Sequence, residues 1–358
     1  MQKRVSSKKK GVNEKVIEFF GRLRERGPGV FIIKRGEEMG KKVLIDCDAG
    51  VDDALALILA FHSPELEVKA VTGVNGNVPL GQVFENIQRV LSLIKPSPPP
   101  SIAKGADRPL KGNPVNASSV HGEGGLGGAK LEKRGGEKCW ELYPGRADRL
   151  IPQFARRYPG ELTLIALGPL TNLALALNRD PQGMKLLRQV VIMGGAVRTK
   201  GNITPYAEFN IFVDPWAAQT VFRSGLPILL VPLDATRQVR LTPENIAQRV
   251  SPIQSLFARF VIEATRYDFT TRQFGRRFKV FYLHDPLAVG AVIDSRLMSK
   301  EKLSLLVETE GGEHYGQTLE VIKGKGHRCP RAKEQEIETC LGVRGEKFMK
   351  LFLSRLEG

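Results

Sequence analysis

The chain has 358 residues, is 42% hydrophobic and carries a formal net charge of +16, with an isoelectric point near 9.8. This length and apolar content allow a large core, and they exclude a disordered chain, a collagen-like repeat and a disulfide-stabilised miniprotein. Residues 1–38 hold 11 basic and five acidic residues, a net +6 of the total +16. Because the charge is concentrated at one end, we do not expect the main body to bind nucleic acid.

The cysteine pattern and the hydropathy both point to the cytoplasm. The four cysteines form no C-x-x-C pair and have no histidine at zinc-site spacing. No apolar run approaches the roughly 20 residues that a membrane span needs. The N-terminus lacks the apolar segment and cleavage site of a signal peptide. These features predict a cytoplasmic protein that has neither a disulfide framework nor structural zinc.

Residues 1–40 differ in character from the rest of the chain. They begin with a polar, basic stretch, continue with a short amphipathic stretch and are interrupted by Gly27, Pro28 and Gly29. We interpret them as a basic, solvated N-terminal extension. The alternatives are an arm that binds nucleic acid or a membrane surface, and a translation start at Met39. No linker interrupts residues 41–358, which are predicted to form one domain.

From residue 42 onward, strand and helix signals alternate. Residues 43–45 are a short apolar run typical of a central parallel strand, and a helical run follows from Ala54 to Phe61. Further strands are predicted at 68–72, 162–167, 190–193 and 228–233. Further helices are predicted at 84–94, 173–177 and 348–356. This alternation predicts an α/β fold, with an open, mostly parallel, Rossmann-like sheet flanked by helices in a single domain.

A cluster of acidic residues follows the first predicted strand. Residues 46–53 read D-C-D-A-G-V-D-D, so four carboxylates lie within eight residues. Ligands of open α/β sheets bind beyond the carboxyl ends of the strands. Unpaired carboxylates at this spacing repel one another, and either raised pKa values or a divalent cation relieves the repulsion. Oxygen donors without a nearby soft ligand favour Ca²⁺ or Mg²⁺ over zinc.

Three known patterns compete for this segment. An EF-hand loop requires an acidic twelfth residue, where this chain has Leu57. A haloacid-dehalogenase-type phosphatase also begins with D-x-D, with Asp46 as its nucleophile, but it expects Thr or Val where this chain has Gly50. The string D-x-D-x-G-x-D-D instead resembles the signature of the nucleoside hydrolases of the inosine–uridine-preferring type. Ala49 stands where that family often has proline, which we expect to affect the stiffness of the loop.

The other predicted strand ends resemble the same family, in the same order. The matching segments are residues 71–77, 105–110, 121–128, 167–172, 193–195, 201–202, 207–215 and 284–286. The resemblance extends from about Lys42 to the C-terminus. It implies hydrolysis of the N-glycosidic bond of ribonucleosides to a free nucleobase and ribose. The family also suggests a homodimer or a homotetramer.

The resemblance further implies one Ca²⁺ in each subunit. Its expected ligands are Asp48, Asp53, Asp285 and the main-chain carbonyl of Leu167. These groups leave positions for a water and two ribose hydroxyls among the six to eight oxygens that Ca²⁺ accepts. Asp46 is then expected to support Asp48 rather than to bind the metal.

The family resemblance also assigns roles around the substrate. The expected ribose contacts are Asp52, Asn77, Met193, Asn202, Glu208 and Asn210. Asp48 is expected to accept a proton from the water that the metal activates. His284 is expected to protonate the departing base, because imidazole titrates near neutral pH, and His121 is a second candidate for contact with the leaving group. Structural roles are the alternatives: a turn for Asn77, packing for Met193 and a hydrogen bond for His284.

The sequence leaves the choice of nucleobase open. The residues that contact the base are expected within 225–283. Tyr267, Arg272, Phe274 and Arg276 are candidates for a mobile wall over the base, although the arginines could equally be solvated. Two other functions also remain open at this point. One is a Mg²⁺-dependent phosphohydrolase with Asp46 as the nucleophile, and the other is a non-catalytic nucleoside-binding protein.

Overall fold

The computed structural model describes residues 40–122, 124–129, 131, 138–270, 272–273, 276–277, 280–321 and 335–357. The predicted N-terminal extension lies outside these residues apart from Gly40, so its character stays a prediction. No helix in the described part of the chain is long and apolar enough to cross a membrane.

The described residues contain fourteen strands. In chain order they are β1 Lys41–Cys47, β2 Leu66–Gly73, β3 Ser101–Lys104, β4 Glu141–Leu142, β5 Thr163–Ala166, β6 Gln189–Met193, β7 Ile228–Val231, β8 Arg240–Leu241, β9 Arg272–Gln273, β10 Arg276–Arg277, β11 Phe281–Tyr282, β12 Met298–Val307, β13 Thr318–Glu320 and β14 Glu336–Val343. Ten of them form one sheet in the order β13-β12-β14-β7-β6-β5-β1-β2-β3-β4. Neighbours from β14 to β4 pair in parallel, whereas β12 is antiparallel to both β13 and β14. The predicted open, mostly parallel sheet is therefore confirmed.

Helices cover both faces of this sheet. They are α1 Val51–Phe61, α2 Leu80–Ile94, α3 Ser118–His121, α4 Ala147–Arg157, α5 Thr171–Arg179, α6 Pro181–Met184, α7 Phe209–Val213, α8 Pro215–Phe222, α9 Leu233–Thr236, α10 Pro243–Asn245, α11 Leu256–Thr270, α12 His284–Ile293 and α13 Gly345–Ser354, with a π-helical turn at Ile246–Val250 and a 3-10 turn at Ser295–Leu297. Side chains of a strand alternate between the faces of the sheet. Val43 and Ile45 accordingly pack in one core with α1, α11 and α12. Leu44 packs in the other core with α4, α5 and α8.

The predicted elements are found close to their expected positions. The five predicted strands correspond to β1, β2, β5, β6 and β7, and the predicted helices to α1, α2, α5 and α13. The strand expected over 228–233 ends at Val231, because Pro232 precedes the short helix α9. The sequence did not indicate β12, the second strand from one edge of the sheet, whose residues 299–302 are exposed and mostly charged. An exposed, charged stretch lacks the apolar run that identified the central strands.

Strand order creates a switch point at the centre of the sheet. The chain leaves β1 for β2 on one side, and later returns to place β5 on the other side of β1. Open α/β sheets bind their ligands at the carboxyl ends of strands beside such a point. Residues just beyond β1, β2 and β5 are Asp48, Asn77 and Leu167, and Met193 ends β6. The fold thus collects the predicted site residues from several strand ends.

Candidate active site

Three buried carboxylates converge beside the switch point. Oxygen atoms of Asp52, Asp53 and Asp285 all lie within 4.8 Å of one another, and Asp52 shares a hydrogen bond with Asp285. Asp52 and Asp53 lie in the first turn of α1, and Asp285 lies in the first turn of α12. These two helices pack against each other. The positive end of each helix dipole therefore lies at the acidic cluster.

Asp48 lies beside this group and is held by Asn77. The main-chain nitrogen of Asn77 donates to Oδ2 of Asp48 (2.7 Å), and its side-chain amide donates to Oδ1 (2.9 Å). The same amide also donates to Oδ2 of Asp53 (3.1 Å). Asp53 accepts further bonds from the backbone N–H groups of Gly50 (2.8 Å) and Asp48 (3.1 Å). Asn77 and the α1 cap thus orient two of the four carboxylates.

The electrostatics of this cluster fit a hard divalent cation. Burial raises the pKa of Asp48, Asp53 and Asp285 above the usual aspartate range, and for Asp48 and Asp285 neighbouring carboxylates add to the effect. Several buried negative charges destabilise a fold unless they gain protons or a counter-charge. The donor atoms are all oxygens, which is the ligand type that Ca²⁺ and Mg²⁺ prefer.

Glycines allow the surrounding turns to close tightly on Asp48. A Cβ atom at Gly76 would lie 2.0 Å from Oδ2 of Asp48, and one at Gly168 would lie 3.1 Å from its carboxyl carbon. Ala49 has a φ of 45°, a conformation that proline, with its φ near −65°, does not adopt. The turn between β1 and α1 therefore follows a backbone path that a proline at position 49 would not allow.

Leu167 and three of the predicted ribose contacts, Met193, Glu208 and Asn210, form one hydrogen-bonded group. The amide of Asn210 donates to the carbonyl oxygens of Leu167 (2.6 Å) and Met193 (3.1 Å). Glu208 precedes α7, and its carboxylate accepts from the backbone N–H groups of Asn210 (2.9 Å), Gly195 (2.9 Å) and Ile211 (3.2 Å). Burial nevertheless raises the pKa of Glu208. The ends of β5 and β6 are thereby tied to the start of α7.

Asn202 differs from the other predicted ribose contacts because it is exposed. Its Oδ1 accepts a bond from the backbone N–H of Phe209 (2.9 Å). This bond joins the loop after β6 to the first residue of α7. Asn202 therefore lies at the rim of the site, whereas Asn77, Glu208 and Asn210 are buried.

Both predicted histidines are partly buried and neutral at physiological pH. Nδ1 of His121 accepts from the backbone N–H of Val51 (3.2 Å), so the neutral ring carries its proton on Nε2. Nδ1 of His284 lies 2.7 Å from Oγ1 of Thr236. Burial lowers the pKa of His121 to about 4. Burial, together with the charges of Arg237 and His121, lowers the pKa of His284 to about 3.

Asp46 has a different environment from the other three aspartates of the motif. Its Oδ1 accepts bonds from the hydroxyl of Thr72 and from the amide of Asn172, which is 2.7 Å away. Asn172 also donates to the carbonyl of Gly73 (3.1 Å). Burial raises the pKa of Asp46 to about 7, although these two bonds oppose the shift. These contacts join β1 to β2 and to α5.

The candidates for contact with the base are described only in part. Tyr267 lies on α11 next to the glycine-rich loop, where a Cβ atom at Gly122 would be 3.7 Å from its ring. Arg272 and Arg276 lie in the short strands β9 and β10, and Phe274 lies outside the described residues. Thr236 and Arg237 follow the end of β7 and contact the site, but they were not among the residues predicted from the sequence. Their position beyond a strand end was the available signal.

Comparisons with known proteins agree with this geometry. Residues 43–350 match the family model of the inosine-uridine preferring nucleoside hydrolases. The chain is 35% identical, over 319 residues, to the inosine-uridine preferring nucleoside hydrolase of Crithidia fasciculata, covering 89% of this chain and 98% of that protein. It is 37% identical, over 284 residues, to a pyrimidine-specific ribonucleoside hydrolase of Salmonella arizonae, covering 78% and 88%.

Solved structures give the same result. A plant nucleoside hydrolase superposes with a TM-score of 0.81 at 32% identity, covering 89% of this chain and 99% of that one. A purine-preferring ribonucleoside hydrolase from Gardnerella vaginalis superposes with a TM-score of 0.79 at 28% identity, covering 89% and 98%. These relatives place the chain among the hydrolases that act on N-glycosyl bonds. The chain belongs to the inosine-uridine preferring nucleoside hydrolase family, which confirms the predicted family and enzyme class.

Proposed function

We propose that this protein uses Ca²⁺ to hydrolyse ribonucleosides to free base and ribose, with Asp48 as the general base. Water adds to C1′ of the ribose, the bond from C1′ to the base nitrogen breaks, and the base leaves with a proton. The observation that carries the proposal is the cluster of buried carboxylates at the switch point. We also propose that the enzyme works in the cytoplasm, as a homodimer or a homotetramer.

Asp48, Asp53, Asp285 and the carbonyl of Leu167 would hold the cation. Two of these carboxylates belong to the converged group, and Asp52 completes that group. A bound Ca²⁺ would supply positive charge that neutralises the carboxylates and favours deprotonation of a water. Asn210 already donates to the Leu167 carbonyl, but a carbonyl oxygen has a second lone pair for another partner.

Asp48 is suited to accept the proton of the attacking water. Burial and the neighbouring carboxylates raise its pKa, which makes it a stronger base than an exposed aspartate. The two bonds from Asn77 hold its carboxylate in one orientation. A base must lie within hydrogen-bond reach of the proton it takes, so this orientation contributes directly to the rate.

The ribose would be held by the hydrogen-bonding groups that line the site. Asp52, Asn77, Glu208 and Asn210 are buried polar residues, and Asn202 would contact the sugar from the rim. Buried polar groups discriminate strongly against a ligand that leaves them unpaired. We therefore propose that they select a ribose with free hydroxyls, while Met193 packs beneath the ring.

His284 and His121 would assist the departure of the base. Burial lowers the pKa of His284 to about 3, so its ring is neutral in the free enzyme and would have to take up a proton with the substrate before passing it to the departing base. His121 carries its proton on Nε2 and offers a second donor. Each donor would stabilise the leaving group more in the transition state than in the bound nucleoside.

The experiment that tests the function measures free ribose released from inosine, uridine, cytidine and guanosine. We expect ribose release that EGTA abolishes and Ca²⁺ restores. Asp48→Asn should lose at least about a hundredfold in kcat, whereas the matched change Asp180→Asn, at the half-buried N-cap of α6, should not. No ribose release from any nucleoside, or full activity after extensive chelation, would refute the proposal.

A second comparison isolates the role of His284. We expect His284→Ala to slow the hydrolysis of inosine by about a hundredfold or more. The same variant should slow a nitrophenyl riboside much less, because that leaving group departs without protonation. Equal losses on the two substrates would argue against proton donation by His284.

A further inference from the structure

The short helix α9 anchors the loop that leads to Asn202. The carboxylate of Asp234, on α9, accepts from the backbone N–H groups of Val197 (2.9 Å) and Arg198 (2.8 Å). Both amides belong to the loop that follows β6. The loop therefore has one fixed end at α9, which follows the neighbouring strand β7.

Arg237, one residue beyond α9, holds the other end of the same loop. Its guanidinium donates to the carbonyl oxygens of Lys200 (2.5 Å) and Gly201 (2.7 Å), and it lies 3.3 Å from the hydroxyl of Thr199. Gly201 directly precedes Asn202. The two charged side chains thus hold both the N–H groups and the carbonyl groups of one segment, residues 197–201.

The anchored loop leads directly to the residues that are predicted to contact the ribose. Asn202 accepts from the N–H of Phe209, and Glu208 begins α7. The charge of the half-buried Arg237 also lowers the pKa of Glu208 and of His284. Arg237 therefore binds the loop directly and acts electrostatically on the buried acid and on the candidate leaving-group histidine.

We propose that Arg237 is a positioning residue for ribose binding, which acts by holding residues 197–201 so that Asn202 meets the sugar. The proposal rests on the proposed function, because it takes the ribose contact of Asn202 as given. Arginine suits this role because its planar fork donates to two separate carbonyls at once, whereas lysine presents a single point of donation.

Loss of the Arg237 side chain is expected to lower the affinity of the enzyme for its nucleoside substrate. If the loop is held in place for only a fraction of the time, the apparent affinity for substrate falls by that fraction. Substrate that does bind meets the same catalytic groups. A residue of this kind therefore raises KM and changes kcat little.

The test compares Arg237→Gln and Arg237→Lys with the wild type on the best nucleoside substrate. We expect Arg237→Gln to raise KM about tenfold with kcat within about twofold, and Arg237→Lys to recover part of the loss. Arg223→Gln, which removes the same charge from an exposed residue after α8, should leave both constants unchanged.

A double variant separates positioning from general damage. In an Asn202→Ala background, Arg237→Gln should change KM by less than about twofold, because the two residues act through one contact. An unchanged KM in Arg237→Gln, a fall in kcat alone, or additive effects in the double variant would overturn the inference. If the wild type releases no ribose, the proposed function fails instead, so the two failures are distinct.

Discussion

The amide of Asn77 gives the sharpest test of the acidic cluster. Replacing Asn77 by Ala removes two hydrogen bonds to buried carboxylates, one to Asp48 at 2.9 Å and one to Asp53 at 3.1 Å. A hydrogen bond to a charged group contributes about 1.5–3 kcal/mol. The two bonds together therefore account for about 3–6 kcal/mol of the stability of the ionised, metal-free protein.

The loss should depend on pH, and its sign follows from the pKa values. The side-chain amide of Asn77 lowers the pKa of Asp53, and its backbone N–H, which alanine keeps, lowers the pKa of Asp48, although burial raises both pKa values overall. Without the amide, the folded-state pKa of Asp53 rises further, so the folded variant binds protons more readily than the unfolded chain. The stability of the variant therefore falls, relative to wild type, as pH rises. Protonation at low pH relieves part of the loss.

The assay is thermal unfolding in EGTA at pH 5 and pH 8. For a large domain, 1 kcal/mol shifts the midpoint by about 2 °C, so we expect Asn77→Ala to lower it by about 6 °C or more at pH 8. The shift at pH 5 should be about half of that. Asn113→Ala, an exposed control, should shift neither. An equal loss at both pH values, or no loss, would refute the reasoning.

Three further predictions follow from packing and organisation. Gly76→Ala should lower kcat/KM by at least about a hundredfold, because its Cβ atom would lie 2.0 Å from Oδ2 of Asp48. The control Gly81→Ala adds its Cβ atom in open space, so its rate of ribose release should equal that of the wild type. Gly290→Ala should lower the unfolding midpoint by the equivalent of about 1–3 kcal/mol, since its Cβ atom would meet a ring of α13 at 2.6 Å, with KM unchanged. Removal of residues 1–38 should leave ribose release intact, and an inactive truncation would show that the extension takes part.

The sequence predicted the structure best where apolar residues form a short run or where several functional side chains lie close together along the chain. The apolar runs at 43–45 and 190–193 predicted β1 and β6, because strands buried on both faces lack the polar alternation of exposed ones. The sequence was least informative for β12, the second strand from one edge of the sheet, where residues 299–302 are exposed and mostly charged. Such a strand is defined by its pairing partners, and no local pattern encodes them.

The composition and the motifs, taken alone, determined the α/β class, the family and the short acidic segment at the end of β1. Those properties depend on periodicity and on neighbours in sequence, which can be read directly. Only the tertiary structure decided that Asp52 joins Asp53 and Asp285, that Thr236 contacts His284, and that Arg237 holds the loop before Asn202. Thr236 and His284 are 48 residues apart, so their contact depends on how α9 and α12 pack against each other. Strand order and helix packing bring such residues together, and the spacing of residues along the chain predicts neither of them.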